Sequence, residues 1–284
     1  MATYAEYLKD FFTLERKKLS ENYPGINLHR LTSEAPITNL SDLYLPSNIH
    51  PFSQFIEKLK QGIPLEYISG KSYFYKSTFA VNKNVLIPRN ETEILVELAV
   101  QEVQRNFMHK SCRVLDVCTG SGVIGLSLLR EGGAIFDLTL ADLSKPALEV
   151  ARKNYFLMQF LFSPDSKVHF VESDRLKEIE GLFDIILSNP PYIKEISDSD
   201  TVHQQVKTYE PKIALFLPDD AYQAWFVEFF KEIFNHLRAG GFSLIEGHEN
   251  HLEQLKKIAL DVGFKTADVI KDYNQCDRFL KVTR

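Results

Sequence analysis

The stretch VLDVCTGSGVIGLSLL, residues 114–129, decides the fold. An apolar run broken only by Asp116 leads into glycines at G-x-G-x-x-G spacing, Gly120, Gly122 and Gly125, and then into an apolar helical pattern. A strand that turns on glycines into a helix is the opening unit of an α/β sheet built to hold a ligand at its strand ends. Gly120 and Gly122 permit the tight turn and a close backbone approach to that ligand, and Gly125 lets helix and strand pack closely.

On either side of this unit the texture continues. RVLDV, FDLTLAD, KVHFVES, FDIILSN and GFSLIEG read as strands, with a last one near RFLKV, and helical patterns fall between most of them. That alternation predicts a mostly parallel sheet covered on both faces. Upstream, NETEILVELAVQEVQ predicts a helix with Asn90 as N-cap and Glu93 completing a capping box. Residues 69–88, rich in aromatic and β-branched side chains, predict a β-hairpin linker. Tyr4, Tyr7, Leu8, Phe11 and Phe12, then Phe52, Phe55, Ile56 and Leu59, recur at helical spacing, so residues 1–68 predict a small helical domain. Residues 89–284 are expected to form the α/β domain.

Composition excludes several classes. The 284 residues are 44% hydrophobic and 25% charged, as in ordinary globular proteins. With 33 Lys+Arg against 38 Asp+Glu the net charge is −5, so no global basic field draws in nucleic acid, and direct nucleic-acid binding is not expected. Cys112, Cys118 and Cys276 show no Cys-x-x-Cys spacing and are too few for a disulfide framework. MATYAEYLKD lacks a signal-peptide pattern, and no run approaches ~18 apolar residues. A soluble, cytoplasmic monomer without membrane contact is expected.

Two carboxylates bracket the glycine loop. Asp142 ends the next strand, twenty residues after Gly122, where an acid can accept from ribose hydroxyls; it could equally cap the helix beginning near Ser144. Asp116 lies inside the first strand, where a pyrophosphate would be repelled but a ligand with an amine and a sulfonium would not. That favours S-adenosylmethionine over a dinucleotide. The competing reading of Asp116 is a carboxylate that only ties down the loop.

FDIILSNPPYI, residues 183–193, ends a core strand on Asn189, Pro190, Pro191 and Tyr192. As the fourth strand it would deliver Asn189 beside the glycine loop. Asn189 precedes a proline and is held extended, while the prolines donate no N–H. The Asn189 side-chain oxygen and the Pro190 carbonyl can then hold both N–H groups of a planar NH₂ and aim its lone pair at a methyl carbon, with Tyr192 stacked on the plane. A proline-stiffened turn is the bland alternative. These residues alone leave open whether the NH₂ is an amide or the exocyclic amine of adenine.

GIPLEYISG (62–70), LIPRNETEILVE (86–97), VLDVCTGSGVIGL (114–126), NPPYI (189–193), YEPKIALF (209–216) and GGFSLIEGH (240–248) together resemble the peptide-chain release factor glutamine methyltransferases, the HemK-like enzymes. The resemblance spans roughly residues 60–284. It implies a Rossmann-like methyltransferase domain, S-adenosylmethionine as donor, and methylation of the glutamine side-chain amide in the Gly-Gly-Gln loop of class I release factors. It further implies that Thr119, Gly120, Ser121 and Gly122 hold the methionine part, that Asp142 holds the ribose, and that Asn189, Pro190, Pro191 and Tyr192 hold the substrate glutamine, with Asp116, Cys118 and Asn189 also expected at the cofactor. Arg89 would line the pocket, the alternative being that Asn90 and Glu93 already account for this motif as a capping box. Two positions depart from the pattern: Cys118 stands where glycine is usual, and Arg175 where an aromatic residue often covers adenine, a face that Arg175 is expected to cover by stacking instead. Competing readings are a glutamine methyltransferase of a ribosomal protein, an adenine-N6 methyltransferase and a non-catalytic adaptor. No metal is expected, since His248, Glu249 and His251 lack His-Glu-x-x-His spacing. Trp225, Phe226, Phe229 and Phe230 read as a helix packing face.

Overall fold

A computed structural model describes residues 3–23, 25–35 and 50–284. The chain divides into two compact units, Met1–Lys71 with His203–Glu210, and Ser72–Val202 with Pro211–Arg284. The first contains α1 (Tyr4–Leu14), α2 (Arg16–Asn22), α3 (Leu28–Glu34), α4 (His50–Gln61), α5 (Leu65–Ser69) and a later helix, Gln204–Tyr209, numbered α9 in chain order. Thr3 and Glu6 form a capping box that starts α1, and Tyr4, Leu8 and Phe11 then fall on one buried face against Leu31, Phe55, Ile56 and Leu59. The Phe52 side chain lies outside the described residues. Within this unit α9 is tied down by Gln205 Nε2 donating to Gly62 O (2.8 Å) and by Tyr209 OH donating to Gln61 O (2.6 Å).

The second unit opens with a hairpin, β1 (Lys71–Phe74) and β2 (Ser77–Ala80), followed by α6 (Asn90–Asn106). Then come β3 (Ser111–Val117), α7 (Val123–Glu131), β4 (Ile135–Asp142), α8 (Lys145–Met158), β5 (Lys167–Glu172) and β6 (Phe183–Ser188). A short parallel pair, β7 (Ile193–Lys194) and β8 (Phe216–Leu217), precedes α10 (Tyr222–His236), β9 (Leu237–Glu246), α11 (Leu252–Val262), β10 (Thr266–Lys271) and β11 (Asp277–Thr283). The main sheet runs β10-β11-β9-β6-β3-β4-β5, parallel from β9 to β5, with β11 antiparallel to both its neighbours. Alternation along β3 divides the core: Cys112 and Val114 pack in the layer of α6 and α7, Leu115 and Val117 in that of α10 and α11. Each buried phenylalanine of α10, such as Phe226 or Phe230, contributes ~1.5–3 kcal/mol over its exposed state. Among the described residues no helix is long and apolar enough to cross a membrane.

Three local expectations are corrected. The capping box of α6 does not form: Arg89 is the N-cap, no side chain caps the helix, and Glu93 Oε1 instead accepts from Tyr75 N–H (3.1 Å). Tyr75 and Lys76 both have positive φ (40° and 63°) in the two-residue hairpin turn, and the Glu93 carboxylate is spent on that strained backbone. Second, β10 is an additional edge strand with half-exposed side chains, which masks its apolar alternation. Third, β9 begins at Leu237, running through Gly240 and Gly241 before GFSLIEG.

Candidate active site

Parallel pairing sets Val117 at the end of β3 beside Ser188 of β6 and Ala141 of β4. Ser188 Oγ donates to Val117 O (2.7 Å), fixing the two strand ends together. At this edge opens a cleft of about 1090 Å³, solvent at its mouth included. Its walls come from the segment before α6, the glycine loop, the ends of β4 and β5, the residues after β6, and the start of α10.

Left-handed backbone makes the loop, with φ of 58° at Cys118, 56° at Gly120 and 81° at Gly122. For Cys118 this costs ~1–2 kcal/mol that glycine would not incur, the physical reason glycine suits the position. Gly125 is demanded by packing: a Cβ there would meet Leu140 Cδ2 at 2.5 Å and Asp116 Oδ2 at 3.1 Å. Burial pushes the Cys118 thiol up, with the Asp142 and Asp116 charges acting in the same direction, so it remains a protonated thiol rather than a nucleophile.

Asp116 does not line the cleft. It is fully buried behind the loop, where Oδ2 accepts from Thr119 Oγ1 (2.6 Å) and Gly125 N–H (3.0 Å) while Oδ1 has no partner. The expectation of direct ligand contact is corrected to loop-holding: the Thr119 and Gly125 donors draw the carboxylate inward. Burial pushes its pKa up to about 7, the two donors opposing.

Thr119, Gly120, Ser121, Cys118 and Asp142 do line the cleft. Asp142 Oδ2 accepts from Gly120 N–H (2.8 Å) and Oδ1 from Ser144 N–H (2.8 Å), so this acid shapes the loop and α8 at once. Ser144, not Asp142, is the N-cap of α8. Burial raises the Asp142 pKa, against those two backbone donors. A carboxylate offers about four lone-pair sites, which leaves acceptor capacity toward the cleft. From behind, Asn154 of α8 donates to Ser121 O (2.9 Å) and Ala80 O (3.0 Å) and accepts from Ala80 N–H (2.7 Å). Sequence reasoning missed Asn154; a buried asparagine amid an apolar helix face was its only signal.

Arg175 lines the opposite wall in a left-handed conformation (φ 57°), its carbonyl accepting from Ser173 Oγ (2.9 Å). Its guanidinium lies over Trp225 (5.6 Å to the ring centroid) and 3.4 Å from Glu232. Trp225 packs on Phe226 (5.0 Å) and Phe229 (4.9 Å) as expected and also lines the cleft, while Phe226, Phe229 and Phe230 are buried as expected.

Of the four residues after β6, Asn189 and Pro191 line the cleft and Pro190 and Tyr192 stand behind it. Asn189 Nδ2 donates to Thr92 Oγ1 of α6 (3.2 Å), and Thr92 Oγ1 donates to Glu246 Oε2 at the end of β9 (2.7 Å). Glu246 is 1% exposed, and its Oε1 accepts from Tyr192 OH (3.0 Å). The Tyr192 ring meets His248 edge-on (6.5 Å). The Pro190 carbonyl accepts no backbone hydrogen bond from the described residues. Arg89 lines the cleft as well.

His248 and His251 gather around Asp198 rather than Glu249, their ligand-type atoms within 4.8 Å of one another. His251 Nε2 lies 2.9 Å from Asp198 Oδ2, which also accepts from Lys194 N–H (2.9 Å), and His248 Nδ1 accepts from Asn250 N–H (3.2 Å). These bonds fasten the loop beyond β7 to the turn before α11.

Chemically, then, the cleft combines a backbone-rich loop, a carboxylate with spare acceptor sites, apolar and aromatic walls, and an amide held from behind. A matching family model, the methyltransferase small domain, covers residues 90–210. The chain is 34% identical over 287 residues to a release factor glutamine methyltransferase of Leptospira interrogans, covering 98% of this chain and 88% of the relative. A protein of the same name from Chlorobaculum tepidum is 36% identical over 232 residues, 78% of this chain and 74% of the relative. Among solved structures, a T. thermophilus 16S rRNA N2 G1207 methyltransferase in complex with AdoMet and guanosine aligns with a TM-score of 0.50 at 16% identity, over 75% of this chain and 49% of that one. That likeness is one of fold.

Proposed function

The chain belongs to the release factor glutamine methyltransferase family, and from that premise we propose that it methylates the glutamine of the Gly-Gly-Gln loop of class I release factors, working as a cytoplasmic monomer without direct nucleic-acid contact. S-adenosylmethionine is the methyl donor: the amide nitrogen would bond to its methyl carbon as the methyl–sulfur bond breaks, the sulfonium would leave as the neutral thioether S-adenosylhomocysteine, and the proton lost by the amide would pass to solvent. The cleft fits such a donor. Asp142 keeps acceptor sites for ribose hydroxyls, the neighbouring Leu143 is half exposed on the cleft wall for an adenine face, and Trp225 with Arg175 offers a second flat wall. Residues 118–122 would hold the methionine end.

Carrying the proposal is Asn189, which lines the cleft at the end of β6 while its Nδ2 is occupied by Thr92 and its Oδ1 accepts no hydrogen bond from the described residues. Oδ1 and the Pro190 carbonyl would take the two N–H groups of the glutamine amide, aiming the lone pair; catalysis is then mostly orientation, for which ~7 kcal/mol or more is accessible. Tyr192, with its hydroxyl on Glu246, supports this platform from behind. Arg89 borders the same wall. The helical unit, residues 1–68 in our division, with the hairpin 69–88 after it, would dock the release factor, leaving chemistry to residues 89–284. Two variants separate the roles. Asn189→Ala should lose turnover with donor affinity held, and Asp142→Ala should weaken donor binding first; the reverse pattern would exchange the assignments.

A further inference from the structure

Glu246 raises a question that methyl transfer does not answer. A carboxylate 1% exposed is costly to bury, yet it sits at the edge of the sheet beside the residues that follow β6. Both its oxygens are occupied by hydroxyls, Thr92 on Oε2 at 2.7 Å and Tyr192 on Oε1 at 3.0 Å. Burial raises its pKa, opposed by those two hydroxyls and by the charge of Arg278.

The direction of the hydrogen bonds follows from proton count. A threonine hydroxyl carries one proton, and a carboxylate has none to give, so Thr92 donates to Glu246 and can only accept from elsewhere. Asn189, 3.2 Å away, must therefore present its NH₂ to Thr92 and turn its carbonyl oxygen away. The two amide orientations, nearly identical in shape, become distinct in energy. Only one of them suits an N–H donor in the cleft; the other would set NH₂ against NH₂.

Building on the reading of Asn189 as the substrate-holding acceptor, we propose that Glu246 and Thr92 are positioning residues that fix the polarity of the Asn189 amide, so that the enzyme accepts a glutamine NH₂ rather than a carbonyl. Glu246 is buried behind the cleft, and Thr92, which borders it, acts through Asn189. Three segments far apart in the chain, α6, the end of β6 and the end of β9, converge on this relay, and its sense is set by Glu246 accepting from Thr92 at its far end.

Thr92→Val keeps the shape and removes the acceptor; Thr92→Ser restores it. Thr92→Val should lower kcat about tenfold or more, with KM for the release factor and the dissociation constant for S-adenosylmethionine within about threefold of the parent, and Thr92→Ser should return kcat to within about threefold. Glu246→Gln, whose amide can donate to Thr92 and reverse the relay, should resemble Thr92→Val. Wild-type kcat in Thr92→Val, or an equal defect in Thr92→Ser, would overturn the relay. A second readout does not depend on the substrate. In protein labelled with ¹⁵N-asparagine, with the Asn189 signal identified by its loss in Asn189→Asp, one side-chain amide proton should be slowed in solvent exchange in the parent and Thr92→Ser and not in Thr92→Val. If that pattern appears while the parent fails to methylate any release factor, the substrate reading falls and the relay stands. If exchange is the same in all three, the relay falls whatever the substrate.

Discussion

Replacing Asp116 by asparagine tests how the glycine loop is held. Asp116 is fully buried, with Oδ2 accepting from Thr119 and Gly125 and Oδ1 without a partner. Burial lifts its pKa from 3.8 to about 7 in spite of those two donors. A carboxyl raised on folding stabilises the native state while protonated, so its contribution is complete below 3.8 and is lost as pH climbs through about 7. At ~1.36 kcal/mol per pKa unit, that interval corresponds to about 4 kcal/mol. Asparagine keeps an acceptor for Thr119 and Gly125 and never ionises, and its NH₂ at the unpartnered position leaves a buried donor unsatisfied just as the O–H of the protonated acid does. Asp116→Asn should therefore be close to the parent in stability near pH ~4 and the more stable protein near pH ~8, with the difference moving by about 4 kcal/mol between them. Urea unfolding of both proteins across that range, followed by tryptophan fluorescence, measures it. A difference that stays constant with pH would refute the assignment of a buried, unpaired carboxylate.

Further predictions concern the scaffold of the same loop. Gly125→Ala drives a methyl group to 2.5 Å from Leu140 Cδ2 and should destabilise by ~1–3 kcal/mol in the same unfolding assay; an unchanged midpoint would mean that β4 and α7 separate more easily than their packing implies. Asn154→Ala deletes the three hydrogen bonds that join Ala80 and Ser121 through α8. It should cost ~1–3 kcal/mol and weaken S-adenosylmethionine binding in calorimetry, whereas unaltered binding would show that the loop keeps its shape without α8.

Local pattern carried much of the architecture. The apolar run into G-x-G-x-x-G marks β3, its loop and α7, because a buried parallel strand and a glycine turn are both written in consecutive residues. Asn189 at the edge beside β3 followed from the strand order, which β6 pairing directly with β3 matches. What stayed hidden depends on contacts between distant segments. Thr92 and Glu246 are separated by 154 positions, and neither periodicity nor spacing could join them to Asn189. Trp225 packs in the aromatic run as periodicity assigns, but its second role on the cleft wall follows only from where α10 starts. Whether Asp116 faces the ligand or the loop is a matter of one rotamer, decided by the donors of Thr119 and Gly125. The capping box of α6 failed for a similar reason: the hairpin turn claims Glu93, a tertiary contact outweighing a local motif.

The central claim is that the NH₂ held at Asn189 belongs to a release factor glutamine. Incubating the protein and labelled S-adenosylmethionine with a purified class I release factor, with its variant carrying alanine for the loop glutamine, and with duplex DNA measures this in one assay. Label should enter the intact release factor alone, on the loop glutamine by mass spectrometry of its peptides. Equal labelling of the alanine variant, or label in DNA with none in the release factor, would contradict it.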